Sequence, residues 1–289
     1  MAASIEVVLE PRNQDIGVPV RRLLPQRGHR ACGPFVFFDH MGPVEIEPGR
    51  GLDVRPHPHI GLATVTYLFD GAFMHRDSLG TVQRIEPGDV NWMSAGKGIT
   101  HSERSPDDLR QSGGKVHGIQ TWIALPAEDE QTEPWFRHYP AADIPLLTRD
   151  GATLHVIAGD AFGVRSPVET ASRTLYVAVC LGADASLTVP AEHVERGIYL
   201  IDGELAIDGT SLGTHHVALL VRDAAVELRA GPQGARLMLF GGDPLDGPRY
   251  IDWNFVSSRH DLIDSAKLAW RAQDFPKVPG ETEWIPLPD

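Results

Sequence analysis

Cysteine is scarce in this chain: Cys32 and Cys180 are the only two in 289 residues. They lie far apart, in segments that read as core strands. This excludes a disulfide-stapled scaffold and disfavours a thiolate zinc site. Both thiols are expected to be free and buried, in a reducing compartment. Positive charge is also in deficit. Twenty-six Lys and Arg face 39 Asp and Glu, a net charge of −13, and no polybasic run is present. Such a surface disfavours direct contact with nucleic-acid phosphates. No run approaches the roughly 18 apolar residues that span a membrane. Residues 1–17 lack a basic stretch followed by an apolar one, so no secretory signal is read there. A cytoplasmic location, with no membrane partner, is expected. Long runs of 3.6-residue periodicity are scarce as well.

What remains is turn-rich and β-like. Glycine (29) and proline (23) are plentiful. They punctuate short apolar or alternating runs: Val18–Leu24, Gly33–Phe38, Ala63–Phe69, Thr81–Ile85, Asp89–Met93 and Val116–Ala124. Strands at about 8–12-residue spacing suggest a sandwich or barrel. Asp70-Gly71 reads as a hairpin turn. The polar stretch Glu128–Pro145, with Pro134, Pro140 and Pro145, reads as a connection between domains. Strand-like runs then resume at Thr153–Ala158, Thr174–Cys180, Ser186–Val189, Gly197–Ile201, Glu204–Ile207, Val217–Val221, Ala225–Arg229 and Ala235–Phe240. The domains are therefore expected at 1–140 and 141–289. One helix is expected near the C-terminus. Ser257 or Ser258 would cap it, Asp261 would close a capping box, and Leu262, Ile263, Ala266, Leu268, Ala269 and Trp270 would form its buried stripe. The tail Phe275–Asp289 reads as irregular.

The halves echo one another. Tyr67-Leu68-Phe69-Asp70-Gly71 returns as Tyr199-Leu200-Ile201-Asp202-Gly203. This points to a duplicated barrel unit. Chemistry is confined to the first copy. His57 and His59 fall 14 and 12 residues before Gly71, whereas the same offsets before Gly203 hold Val189 and Ala191. The second half reads as scaffold, cover or binding surface.

The most function-bearing pattern is Arg55-Pro56-His57-Pro58-His59, followed 42 residues after His59 by His101-Ser102-Glu103. Both pairs have i, i+2 spacing, which points side chains to one face of a strand. Two such strands would gather three imidazoles and a carboxylate at one point. That donor set suits a first-row transition metal with open positions. Pro56 and Pro58 each remove a backbone donor, so this strand belongs at an edge or mouth. Glu103 has two readings, permanent ligand and general base, and the spacing does not separate them. His40 and His75 are the best placed to support the ligands from behind, and His117 lies on an expected strand. The other seven histidines read as surface or structural. Gly96-Lys97-Gly98 lacks the rest of a phosphate loop and reads as a tight turn before His101.

At these residues the chain resembles the pirin family of the cupin superfamily. The resemblance runs through Arg21-Arg22-Leu23-Leu24-Pro25, Gly33–Pro43, Arg55–Leu68, His75–Gly80, Pro87–Met93 and Gly98–Arg104. It covers most of residues 17–123. It is looser in the second half, at Gly203-Glu204-Leu205, Phe240-Gly241-Gly242 and the final helix. It implies an all-β chain of two antiparallel cupin (jelly-roll) barrels, with a short C-terminal helix. It implies one divalent transition metal in the first barrel, usually Fe(II), with Ni, Cu, Mn, Co or Zn as other occupants. The ligands would be His57, His59, His101 and Glu103. Many cupins place a Glu five residues after the second His; here that residue is Thr64, so Glu103 must supply the carboxylate. Members resembling quercetin 2,3-dioxygenases open a flavonol ring with dioxygen and release carbon monoxide. In that case the substrate would be a small aromatic, with Glu103 as the catalytic base. Other members act as iron-dependent redox regulators that bind a protein partner. The resemblance leans towards a monomer.

Overall fold

The computed structural model describes residues 4–15 and 18–288, and its regular structure is mostly β-strand. The chain forms two compact units, each built from separated stretches. One contains residues 14–20, 38–141 and 245–289; the other contains 1–13, 21–37 and 142–244. In sequence the final helix follows the second barrel. In the structure it belongs to the same unit as the first.

The unit that holds the histidine motifs is a sandwich of two open sheets rather than a closed barrel. Its strands are β1 (Phe35–Ile46, entering from the other unit), β2 (Asp53–His59), β3 (Leu62–Asp70), β4 (Phe73–Asp77), β5 (Val82–Ile85), β6 (Val90–Ser94), β7 (Ile99–Arg104), β8 (Gly114–Ala124) and β9 (Trp135–Tyr139). The smaller sheet has the order β2-β7-β4-β5, all antiparallel. In the larger sheet β9, β6, β3, β8 and β1 are successive neighbours. Strand β2 sits at the edge, as its two prolines require.

Asp70-Gly71 does not make the expected hairpin. Strands β3 and β4 lie in different sheets, and the chain crosses between them at Gly71. Gly71 has φ of +84°, and a Cβ there would stand 2.6 Å from the Lys115 carbonyl oxygen. Only glycine passes so close in that conformation. The stretch Glu128–Pro145 is likewise no free connection. Within it β9 pairs with β6, and the buried Glu130 accepts hydrogen bonds from the hydroxyls of Ser257 and Ser258.

Those bonds also explain the start of helix α1 (His260–Ala272). The expected capping box is not made, because Glu130 holds both serine hydroxyls and Asp261 pairs with Arg259. Residue Arg259 stands at the cap position without a side-chain cap bond. Ile263, Ala266 and Trp270 are buried with Ile60, Phe255 and Phe275. Leu268 points away from that stripe and is 65% exposed, contrary to the expectation. After the helix the chain runs without regular structure across the outer face of the small sheet. There Ile285 N–H donates to the Pro56 carbonyl, and Arg104 forms a two-pronged bond with Glu281.

The other unit holds one ten-stranded sheet around an aliphatic core. Two long strands dominate it, β10 (Glu195–Ile207) and β11 (Val226–Gly242). Each was expected as two strands. Instead Gly203, at φ +85°, sits in a bulged stretch of β10. The irregularity lets Ile198 and Leu200 on one side, and Leu205 and Ile207 on the other, face the same core. Cys32 is buried and Cys180 is not; both are free. Cys180 lies on the outer face of its strand, opposite Arg236. Among the described residues, no helix is long and apolar enough to cross a membrane.

Candidate metal centre

Antiparallel pairing explains how the two motifs meet. In the β2–β7 ladder His101 lies directly opposite His57, and His59 lies opposite Ile99. Opposed residues of neighbouring strands hold their side chains about 5 Å apart on the same face. On its other edge β7 pairs with β4, which sets Asp77 opposite His101 and His75 opposite Glu103. One face of the small sheet therefore carries His57, His59, His101, Glu103, His75 and Asp77. Opposite the step from His101 to Glu103, β2 carries one extra residue, so Val54 rather than Arg55 faces Glu103.

The three imidazoles form a compact cluster. One nitrogen from each lies within 4.8 Å of the other two. The His59 and His101 Nε2 atoms are 3.1 Å apart, and the His57 and His101 ring centroids 4.4 Å. All three side chains are buried. Burial lowers the His57 pKa to about 4. Burial, reinforced by neighbouring imidazoles, also holds His59 and His101 well below the ordinary histidine range. Neutral imidazoles expose lone pairs, the form that ligates metal. Backbone carbonyls select the tautomer at two of them. His57 Nδ1 lies 2.9 Å from the Arg55 carbonyl oxygen and His59 Nδ1 lies 3.0 Å from that of Asn254. A carbonyl can only accept, so both Nδ1 atoms carry the proton and both Nε2 atoms are bare.

Glu103 stands outside the set of mutually close ligand atoms. Its carboxyl is held by Gln120, whose Nε2 donates to Oε1 over 3.4 Å; Thr66 Oγ1 in turn donates to Gln120 Oε1 at 2.7 Å. Desolvation pushes the Glu103 pKa up to about 7, against the Gln120 bond, which lowers it. Aromatic groups close the surroundings: the Trp122 ring meets His59 edge-on, and Phe136 stacks on His75 at 4.3 Å. The bare nitrogens, their neutral state and their close approach fit a transition metal better than a structural cluster of histidines.

The structure separates the supporting histidines. His75 lies against His101 and Asp77. His40 instead pairs with His117, their Nε2 atoms 2.7 Å apart. Six features of the site were not read from the sequence: Thr66, Asp77, Gln120, Trp122, Phe136 and the Asn254 carbonyl. Asp77 had a signal, since His75-x-Asp77 repeats the i, i+2 spacing of the ligand motifs. Asn254 had none, because it comes from a distant segment.

Comparison with known proteins supplies the family. The pirin family model matches residues 17–123, and the pirin C-terminal cupin domain model matches residues 176–276. A pirin-like protein of Caulobacter vibrioides is 44% identical over 99% of this chain and 100% of its own length.

The chain belongs to the pirin family.

It carries two cupin domains, and its sheets are open and jelly-roll-like rather than closed barrels. A crystal structure of quercetin 2,3-dioxygenase from Acinetobacter baumannii superposes with a TM-score of 0.91 and 34% identity, covering 98% of this chain and 95% of that one. The fold also recurs in a bacterial pirin from Escherichia coli in complex with nickel(II), at 21% identity and TM-score 0.64, over 83% of this chain and 99% of that one.

Proposed function

We propose that this pirin is a dioxygenase that opens the ring of a flavonol such as quercetin with dioxygen, at one divalent metal held by His57, His59, His101 and Glu103. The observation that carries this reading is the convergence of three buried, neutral imidazoles beside a carboxyl raised to about pH 7. The likeness to the Acinetobacter baumannii quercetin 2,3-dioxygenase supports the substrate class. Fe(II) is the expected metal, and the nitrogen-rich, thiolate-free donor set also suits Ni, Co, Mn, Cu or Zn. Bound there, the metal would supply Lewis acidity and the electronic coupling that lets a closed-shell aromatic react with dioxygen.

The chain's own groups do the rest. Glu103 takes the proton of the substrate's enolic hydroxyl and leaves an electron-rich ring. Gln120, braced by Thr66, keeps the carboxyl aimed while it changes charge. The rings of Trp122 and Phe136 back His59 and His75 with apolar surface and exclude water there. Both atoms of dioxygen enter the ring-opened ester, and one ring carbon leaves as carbon monoxide.

The test is aerobic quercetin turnover by Fe(II)-loaded protein, read as carbon monoxide release. The expected result is release that disappears in His101→Ala and Glu103→Gln. No release from protein with confirmed metal loading would overturn the dioxygenase reading and favour a redox regulator that binds a protein partner.

A further inference from the structure

His101 differs from the other two imidazoles of the cluster: among the described residues, no backbone carbonyl bonds its ring. Its Nδ1 faces the Nδ1 of His75 at 3.4 Å. The far nitrogen of His75, Nε2, lies 3.0 Å from Asp77 Oδ2. Asp77 is fully buried, and its other oxygen, Oδ1, accepts the backbone N–H groups of Leu79 (2.9 Å) and Thr81 (3.0 Å). The Phe136 ring, stacked on His75 within 20° of parallel, fixes the plane of the relay imidazole.

We propose that Asp77 and His75 are positioning residues that set the tautomer of His101 and so present its Nε2 lone pair to the metal. This rests on the metal reading above. The chain of donors has one self-consistent order. Asp77, as a carboxylate, only accepts, so His75 carries its proton on Nε2. With that proton on Nε2, His75 Nδ1 serves as the acceptor for the Nδ1 proton of His101. His101 is left with a bare Nε2, which faces the bare Nε2 of His59 at 3.1 Å. All three ligand histidines thus donate from Nδ1: two to carbonyls, and His101 to a second imidazole buttressed by a buried carboxylate. Partners of this kind raise ligand basicity and restrict ring orientation, and their loss typically costs about 10–100-fold in metal affinity.

The geometry makes Asp77→Asn a directed test. The Leu79 and Thr81 amides both need an acceptor, so the Asn carbonyl oxygen stays with them and its NH2 turns to His75. That donor forces the His75 proton onto Nδ1, against His101, whose own proton is driven to Nε2 where the metal would bind. Affinity for Co(II) is measured by titration, with its visible spectrum, in wild type, Asp77→Asn, His75→Phe and the double variant. The thermal midpoint of each metal-free protein is recorded alongside. The expected result is a 10–100-fold weaker Kd in Asp77→Asn, and little further loss when Asp77→Asn is added to His75→Phe. An unchanged Kd in folded Asp77→Asn, or an equal loss from Asp77→Asn in both backgrounds, would overturn the relay. Wild-type protein that takes up Co(II) and loses it in His57→Ala keeps the metal reading intact whichever way Asp77→Asn turns. Wild-type protein that takes up none overturns both. Should Asp77→Asn fail to fold, 15N NMR of the Zn(II)-loaded wild type decides. His75 protonated at Nε2 and bare at Nδ1 is the expected state, and the reverse contradicts the relay.

Discussion

The two units share a motif but not an interior. Tyr67–Gly71 and Tyr199–Gly203 repeat the same five-residue pattern, and the closing glycines have nearly the same backbone, φ +84° and +85°. A Cβ at either would strike a main-chain carbonyl oxygen: that of Lys115 at 2.6 Å for Gly71, and that of Gly234 at 2.2 Å for Gly203. The interiors then diverge. Between the sheets of the first unit lie His57, His59, His75, Asp77, His101, Glu103 and Gln120. The second is filled by aliphatic side chains such as Leu154, Val177, Leu200, Leu237 and Leu239. Val189, at the offset that matches His57, lies in that core. A backbone that tolerates a buried polar cluster in one copy is therefore packed solid in the other. Buried polar groups are costly unless they are satisfied, so the first unit keeps them for the chemistry they allow.

Breaking this contrast at its polar end should have the largest effect. His101→Ala is expected to abolish metal uptake, counted by elemental analysis, and to bring quercetin turnover to background. That loss exceeds the about 10–100-fold commanded by groups behind the ligands. Glu103→Gln should keep metal while carbon monoxide release falls about 10²–10⁴-fold, the usual weight of a general base. At the apolar end, Leu237→Ala should cost about 2–5 kcal/mol in denaturant unfolding. The metal Kd of the folded protein should not change. Saturating metal at 100 times its Kd should raise wild-type stability by about 2.7 kcal/mol, and His101→Ala should remove the gain in a thermal scan. The smallest effect belongs to the exposed side of α1. Leu268→Lys should shift stability by less than about 0.5 kcal/mol, whereas Ile263→Ala on the buried stripe should cost several times more.

Most of the site could be read from the sequence, because strand geometry is a period-two rule. His57, His59, His101 and Glu103 share a face for that reason, and the prolines put their strand at an edge. The all-β class and a duplicated unit were legible through turn punctuation and the repeated Tyr-to-Gly motif, and the family resemblance implied that both are cupins. What was missed depended on long-range competition. The serines before α1 looked like caps, but the buried Glu130 binds them instead. Asp70-Gly71 looked like a hairpin turn, and two strands were expected on either side of its echo Asp202-Gly203. At Gly71 the pair carries the chain between sheets, and at Gly203 it bends a continuous strand. Cys180 looked buried because its strand is apolar, yet alternation turns it outwards. The Asn254 carbonyl that selects the His59 tautomer comes from 195 residues away, a separation no local pattern encodes.

The central claim is that one metal sits where three bare imidazole nitrogens converge in the first unit. Anomalous diffraction from crystals of Co(II)-loaded protein tests it most directly. The account predicts one strong peak per chain within bonding distance of Nε2 of His57, His59 and His101, with the Glu103 carboxylate turned towards it. A peak between His40 and His117, or in the second unit, with none at the three histidines, would contradict it.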